Sequence, residues 1–265
     1  MNFSKTATSD ELIPKILYKY RDWNIGFHKK TITDYEIFLS SFTQFNDELD
    51  GKFPFIINAN GISKKDFKKR LESINKIKAK SLTKKSFNSA YKLFIDGIVN
   101  KDFHQKYIDR IDNLFGAFSL CDSCLNQQMW AYYANSNQGF CIGFNSEKLY
   151  KITGGTLRKV NYCDKKLKMP FDEDCQDTIL KFTDLFFTKK INWQHEQEYR
   201  ILKTLASKKV IKLEKDSIEE IIFGVNTPKM HKNEIIEKVN KNYVNVRFYE
   251  IENNIQKSCF KKIEL

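Results

Sequence analysis

The sequence lacks the usual marks of a secreted or membrane protein. No apolar run approaches the roughly 18 residues that a membrane-spanning helix needs. Residues 1–10 hold no apolar segment of the kind found in signal peptides. We therefore expect a cytoplasmic protein with no membrane partner. Because thiols stay reduced in that compartment, the six cysteines are expected to be free rather than paired in disulfides.

The sequence also lacks the short motifs of several enzyme classes. It contains no Gly-x-Gly-x-x-Gly, no phosphate-binding loop and no Gly-x-Ser-x-Gly. Cys121 and Cys124 form one close pair, but a structural zinc site needs a second pair, and the other cysteines are isolated. The four histidines are scattered, with none paired at helical spacing. We therefore predict no metal site.

The charge of the chain is strongly positive. It carries 45 Lys and Arg against 33 Asp and Glu, a formal net charge of +12. Such an excess favours a polyanionic partner such as nucleic acid. However, only six of the basic residues are Arg, and Ile, Phe and Asn are abundant. Codon bias in an AT-rich genome produces this composition by itself, so the charge alone does not establish nucleic-acid binding.

Short alternating segments and helical spacing divide the chain into elements. The predicted strands cover 11–21, 35–41, 116–121, 139–144, 156–162, 218–223, 244–251 and a short segment from 258. The predicted helices cover 86–99, 102–114, 129–134, 174–188 and 228–240, and the stretch that begins at Ser63 has helical spacing at Phe67, Leu71, Ile74 and Ile77. Because strands and helices do not alternate regularly, we predict an α+β fold built on antiparallel sheets. It forms one domain over 1–265, with 62–114 as a Lys-rich helical insertion.

The segment 193–202 concentrates charge at the start of an apolar run. If Glu196, Glu198 and Arg200 lie on one strand, the two-residue side-chain period puts all three on one face. Two carboxylates and a guanidinium are costly to desolvate there. They therefore form either a charge-paired structural cluster or a functional site, and periodicity alone leaves both open. The neighbouring His195 is a further candidate.

An ordered series of motifs resembles a bacterial family known only as a domain of unknown function. The motifs are Leu-Tyr-Lys-Tyr-Arg (17–21), Ile-Phe-Leu-Ser-Ser-Phe-Thr-Gln-Phe-Asn-Asp (37–47), Phe-Ser-Leu-Cys (118–121), Met-Trp-Ala-Tyr-Tyr-Ala (129–134), Gly-Phe-Cys-Ile-Gly-Phe (139–144) and Trp-x-x-Glu-x-Glu-Tyr-Arg (193–200). The sequence departs from that family after Asp47, where Pro is common, and at Tyr132, where His is frequent.

The same order is similar to the layout of the ADP-ribosyltransferase superfamily. Those enzymes have a first strand ending in Arg or His, a second ending in a small hydroxyl residue, and a late strand with Glu-x-Glu. The resemblance implies a mixed, mainly antiparallel split β-sandwich that binds NAD as a substrate in a cleft between two sheets. It assigns cofactor binding to Arg21, Ser40, Ser41 and Tyr133, with Tyr133 stacking on nicotinamide. Glu198 would be catalytic, and Glu196 would position the acceptor.

The function expected from this resemblance is NAD-dependent ADP-ribosyl transfer to nucleic acid or protein. The protein would act as a toxin or phage-defence effector, with an antitoxin or immunity partner. The alternative is a non-catalytic nucleic-acid or partner-binding module whose Glu/Arg cluster is structural. A nuclease is a third hypothesis, which requires carboxylates around a divalent metal. Its only plausible donors are Asp47, Asp50, Glu196 and Glu198.

Overall fold

The computed structural model describes residues 12–51, 56–57, 63–75, 83–99, 109–164, 168–169 and 183–265. The strands in these ranges are β1 (Ile16–Arg21), β2 (Glu36–Leu39), β3 (Ile56–Ile57), β4 (Phe115–Cys121), β5 (Phe140–Asn145), β6 (Thr156–Lys159), β7 (Asn161–Tyr162), β8 (Lys168–Met169), β9 (Thr188–Lys189), β10 (Glu198–Thr204), β11 (Lys209–Lys212), β12 (Ile218–Phe223), β13 (Arg247–Asn254) and β14 (Cys259–Glu264).

Six helices with defined bounds connect or cover these strands in the described ranges. They are α1 (Gly26–Thr33), α2 (Lys64–Asn75), α3 (Lys84–Val99), α4 (Gln127–Tyr133), α5 (Ser146–Thr153) and α6 (Lys229–Asn242). Residues 109–114 and 183–186 are also helical, and short 3-10 turns cover Phe42–Gln44, Ile191–Glu196 and Ile255–Lys257. Among the residues described, no helix is long and apolar enough to cross a membrane.

An eight-stranded sheet organises the fold. Its strand order is β14–β13–β12–β5–β1–β4–β10–β6. All neighbours pair antiparallel except β12 and β13, which are parallel because α6 connects them. Smaller two-stranded units are β2–β11, β3–β8 and β7–β9. The predicted α+β class and its mainly antiparallel sheet are therefore confirmed.

The two faces of the sheet are covered by different helices. Leu17 of β1 and Ile142 of β5 share a core cluster with Ile32 of α1 and Ile235 of α6. On the opposite side, Trp130 of α4 packs edge-on against a β1 tyrosine ring in a second cluster that includes three buried cysteines. The central strand β5 is buried along nearly its whole length, which explains its continuous apolar sequence.

Strand β4 changes its neighbour along its length. At one end Cys121 is in register with Tyr18 of β1. Near the other end Ala117 and Ser40 exchange two backbone hydrogen bonds of 2.8 and 2.9 Å, which attaches β2 to the same edge of β4. The opposite edge of β4 is occupied by β10. Strands β1 and β2 therefore diverge from β4, and we call the opening between them the fork.

Several predicted boundaries differ from the structure, three of them near the candidate site or by several residues. The strand predicted to carry Glu196 begins only at Glu198; Glu196 ends a 3-10 turn, and Gln197 between them has a left-handed φ of 46°. The helix predicted over 174–188 extends too far, because Thr188 already belongs to β9, and 174–182 lie outside the described residues. The strand predicted from 244 begins at Arg247.

The Lys-rich segment 62–114 is helical wherever it is described. Its described residues belong to helix α2, to helix α3 or to the helical residues 109–114. The exceptions are Ser63 and Thr83, each of which directly precedes a helix. Residues 62, 76–82 and 100–108 lie outside the described ranges, and these include most of the helix predicted over 102–114. The division into one domain with an insertion stays a prediction.

Candidate functional site

A cavity of about 670 Å³ fills the fork between β1, β2 and β4. This volume lies within the range of roughly 300–1,000 Å³ that is usual for small-molecule sites. Five of the six residues predicted from the sequence line it: Arg21, Ser40, Tyr133, Glu196 and Glu198. These residues come from β1, the end of β2, α4, a 3-10 turn and β10. The fork therefore brings together side chains that are far apart in sequence.

Ser41 is the predicted site residue that does not line this cavity. It is fully buried, and its backbone N–H donates to Gln44 Oε1 at 3.0 Å. Its Oγ lies 3.1 Å from Thr43 Oγ1. Ser41 therefore caps the 3-10 turn Phe42–Gln44, and of these two neighbouring serines it is Ser40 that lines the cavity.

Arg200 is the centre of a buried charge network. Its Nε and Nη2 donate to the two Glu198 carboxylate oxygens at 2.7 and 2.9 Å. Its Nη1 and Nη2 donate to the two Asp50 oxygens at 2.8 and 2.7 Å, and Nη1 also donates to the Phe186 carbonyl at 2.7 Å. All five guanidinium N–H groups are thus used. Arg200 holds both carboxylates in fixed orientations.

Lys189 extends the network to the second glutamate. Its Nζ lies 2.6 Å from Glu196 Oε2, 3.4 Å from Asp50 and 3.7 Å from Glu198. The same ammonium lies 4.6 Å from the centre of the Trp193 ring. Two buried cations therefore face three buried carboxylates, which leaves a formal charge of −1 at this side of the cavity.

Tyr133 connects helix α4 to the network. Helix α4 begins at Asn126, whose side-chain oxygen accepts from the Met129 N–H at 3.2 Å. The Tyr133 hydroxyl donates to Glu196 Oε1 at 2.5 Å and accepts from Asn46 Nδ2 at 2.7 Å. Burial and the charge of Glu196 raise the pKa of Tyr133, so its hydroxyl stays a donor at neutral pH.

Glu198 is held as a carboxylate. Burial by itself would raise the pKa of Glu198. The charge and hydrogen bonds of Arg200 outweigh this effect, and Lys189 and Ser119 act in the same direction as Arg200, so the pKa of Glu198 is lowered. A carboxyl group with a lowered pKa has no proton to donate at neutral pH. Glu198 is therefore suited to stabilise positive charge and unsuited to act as a general acid.

The β1 side of the cavity is cationic. Lys19 and Arg21 both line it, and their spacing of two residues puts them on one face of the strand. In the described part of the chain Arg21 makes no ion pair, and its buried Nε has no hydrogen-bond partner. Burial lowers the pKa of Arg21 to about 10, so the guanidinium remains charged at neutral pH. An unpaired, partly buried guanidinium favours an anionic ligand.

Lys19 lines the cavity although no sequence pattern predicted it as a site residue. Its Nζ donates to the Ser119 carbonyl, across the gap where β1 and β4 separate. Burial and the neighbouring Arg21 lower the pKa of Lys19 to about 7. Asp50 and Lys189 were also not predicted as members of this cluster, although Asp50 was considered as a nuclease carboxylate. His195 does not line the cavity, and its Nδ1 lies 3.1 Å from the Asn192 carbonyl.

No metal site accompanies these residues in the ranges that the structure describes. No group of three or more His, Cys, Asp or Glu side chains there could hold a metal ion. The described cysteines are free. Cys121, Cys124 and Cys141 are buried among apolar side chains, and burial raises the pKa of each thiol. These three cysteines therefore act as small apolar core residues.

The comparison with known families covers part of this site. Residues 129–201 match DUF2971, described as a protein of unknown function. This similarity fits the bacterial family of unknown function that the motifs resemble. The matched segment contains Tyr133, Lys189, Glu196, Glu198 and Arg200, whereas β1, β2 and Asp50 precede it. No curated protein and no solved structure matches the chain.

Proposed function

We propose that the protein is an NAD-dependent ADP-ribosyltransferase with NAD bound in the fork. The observation that carries this proposal is that a guanidinium and a carboxylate lie on opposite sides of one cavity, which is large enough for a nucleotide. Arg21, which lacks an ionic partner among the described residues, lies on the β1 side, and Glu198, whose lowered pKa keeps it ionised at neutral pH, lies on the other. The divergence of β1 and β2 from β4 supports the split β-sandwich architecture that the resemblance implies.

The chemistry requires a fixed negative charge beside the reacting carbon. When the bond between nicotinamide and ribose breaks, nicotinamide leaves with the bonding electron pair and positive charge develops on the ribose. The Glu198 carboxylate stabilises that charge. The acceptor nucleophile then forms a bond to the same carbon and loses its proton to solvent water. Because Glu198 is already ionised, it needs no change of protonation state during this step.

The other cavity residues bind and orient the reactants. Arg21 binds a phosphate of NAD, and Ser40 supports the site at the end of β2. Tyr133 offers its ring to nicotinamide, since its hydroxyl is held by Glu196 and Asn46. Glu196 positions the acceptor. Arg200 is a positioning residue, because its two hydrogen bonds to Glu198 fix the carboxylate that faces the ribose.

The acceptor in this proposal is a macromolecule, either nucleic acid or protein. The net charge of +12 supports a polyanionic acceptor such as nucleic acid. Modification of such a target would damage a cell, which fits a toxin or phage-defence effector. An antitoxin or immunity partner belongs to the same proposal, because a host must restrain such an activity.

Glu198→Gln, with Glu220→Gln as its matched control, tests the proposal. Glu220 is also a buried carboxylate, with Lys262 Nζ at 2.9 Å and the Tyr18 hydroxyl at 2.8 Å, but it does not line the cavity. We expect release of nicotinamide from labelled NAD to fall by about 10²–10³ for Glu198→Gln. We expect Glu220→Gln to keep wild-type activity.

The wild type should be assayed with nucleic acid and with cell lysate as sources of the acceptor. An absence of NAD turnover under both conditions would refute the proposal. Equal losses of activity in the two variants would also contradict it, because both substitutions neutralise a buried, cation-paired carboxylate.

One observation supports a second candidate function. All five Arg200 donors are satisfied within the protein, as expected for a purely structural ion cluster. The chain would then be a non-catalytic nucleic-acid or partner-binding module. In that case nucleic-acid binding survives Glu198→Gln and weakens steeply with salt, and no NAD is consumed.

A further inference from the structure

We propose that the mouth of the cavity is a nucleobase subsite formed by Phe27, Phe38 and Val210, and that Lys19 and Arg21 beside it hold the phosphates of the same ligand. The ligand class is a nucleoside diphosphate. This inference deepens the proposed function, since it assigns one end of NAD to the mouth. It rests on the proposed function only for the identity of the complete substrate.

The apolar side chains at the mouth are exposed to solvent. The exposed fractions are 69% for Phe27, 39% for Phe38 and 50% for Val210, and all three residues line the cavity. Single exposed apolar residues are common on protein surfaces. Here, two aromatic rings and a valine converge on one opening, which resembles the apolar lining of a ligand site.

The alternation along β2 explains why Phe38 faces the cavity. Ile37 and Leu39 are buried in the core, whereas Glu36, Phe38 and Ser40 all line the cavity. Phe38 lies directly opposite Val210 across the β2–β11 pair. The two side chains therefore share the cavity face of this ribbon. A planar base can pack against this surface.

Phe27 supplies the second ring from helix α1. Its ring meets the His28 ring edge-on, with 4.5 Å between the ring centres. His28 is itself fixed, because its Nδ1 accepts a hydrogen bond from the Asp22 N–H at 3.1 Å. The fixed His28 ring therefore packs against one side of Phe27, while most of the Phe27 side chain is exposed to solvent.

Two basic side chains next to the mouth can bind the phosphates of a nucleoside diphosphate. Arg21 lies at the end of β1, and its buried Nε has no hydrogen-bond partner. Lys19 lies on the same strand two residues earlier, with no ion pair in the described ranges. Two adjacent cations without carboxylate partners suit a ligand with two phosphates.

Strand registers give the ligand a direction. Glu198 is in register with Cys121, and Cys121 is where β4 meets β1. This is the corner of the fork at which β1 joins β4. Arg21 lies three residues beyond Tyr18, at the open end, and Phe38 lies on the diverging ribbon. A ligand with its base at Phe38 and its phosphates at Arg21 therefore extends its far end towards Glu198.

Calorimetric titration of the full chain with ADP and with inorganic pyrophosphate tests the base subsite. We expect Phe38→Ala to weaken ADP binding about tenfold, because base–aromatic stacking is lost. Its pyrophosphate affinity should stay within about twofold of wild type, since the phosphates do not touch Phe38. Arg21→Gln should weaken both ligands, because it removes a phosphate contact.

Val210→Ala and Val244→Ala provide a matched pair. Val244 has nearly the same exposed fraction, 47%, but does not line the cavity. We expect weaker ADP binding only for Val210→Ala.

No ADP binding by the wild type, or ADP affinity within twofold of wild type for Phe38→Ala, would overturn the subsite. If Phe38→Ala lost as much affinity for pyrophosphate as for ADP, that result would also overturn the subsite. If ADP behaves as expected but NAD is not consumed, the subsite stands and the proposed function fails.

Discussion

Replacing Arg200 by methionine removes the centre of the buried charge network while keeping a long apolar side chain. The substitution leaves Asp50, Glu196 and Glu198 with Lys189 as their only cation in the described cluster, so the formal local charge changes from −1 to −2. It also removes five hydrogen bonds from a completely buried site.

The expected cost at neutral pH is large. Breaking a buried ion pair by removing one partner typically costs about 3–5 kcal/mol, because the remaining charge is left uncompensated. That cost lowers the ratio of folded to unfolded protein by roughly 10²- to 10⁴-fold. In a chain of this size it corresponds to a fall in Tm of roughly 6–20 °C. Denaturant and thermal unfolding, followed by circular dichroism, measure both quantities.

Arg158→Met is the matched control on the neighbouring strand. Arg158 is directly opposite Arg200 in the β6–β10 pair, and its Nη1 lies 2.8 Å from Asp184 Oδ1. This pair is partly exposed, so its loss should cost about 1 kcal/mol or less. The reasoning is refuted if Arg200→Met costs no more than Arg158→Met.

Acid should reduce the cost of Arg200→Met. In the wild type the Glu198 pKa lies below its ordinary value of 4.5, so the stability it contributes is present above that value and is lost as pH falls through the folded pKa. In the variant, Glu198 is buried without the Arg200 charge that lowers its pKa, so Glu198 takes up a proton more readily. The difference in unfolding free energy should therefore shrink from pH 7 to pH 4.5. An unchanged difference would contradict this account.

Two further predictions concern Lys19 and Gln197. ADP affinity should fall as pH rises through about 7, because burial and Arg21 lower the pKa of Lys19 to about that value; the other charged neighbours are Glu198, Glu196 and Arg200. Titrations with ADP at pH 6 and pH 8 should show a steeper fall in affinity for the wild type than for Lys19→Met. Equal slopes would count against the Lys19 contact. Gln197 is exposed and has a left-handed backbone, with φ 46°. Gln197→Val should therefore lower the free energy of unfolding by about 1–2 kcal/mol in denaturant titrations, whereas Gln197→Gly should change it by about 0.5 kcal/mol or less. Equal effects of Val and Gly would contradict the backbone argument.

Local sequence patterns predicted the strands of the eight-stranded sheet because their apolar residues alternate or run continuously. They did not predict β3, β8, β9 or β11. Strand β1 ends at Arg21 as predicted, and β12 covers the predicted 218–223. The prediction was wrong at Glu196, because periodicity cannot detect a left-handed Gln197 that ends one element and begins another. Glu196 nevertheless reaches the network through Lys189 and Tyr133.

Asp50 and Lys189 show why the charge network itself could not be predicted. Asp50 lies in a polar turn, where the sequence indicates only local turn chemistry. Lys189 is one lysine in a chain with many, and its burial is visible only in three dimensions. Lys19 had no distinguishing signal either, because its position opposite Ser119 depends on where β1 and β4 separate.

The contact between Asp50 and Arg200 joins residues 150 positions apart in sequence. A contact that closes so long a loop forms only after the intervening strands have paired, because the chain entropy must be lost first. We therefore expect this contact to consolidate after the folding transition state and to slow unfolding more than it accelerates folding. The cavity wall at Glu198 would then be complete only in the fully native chain.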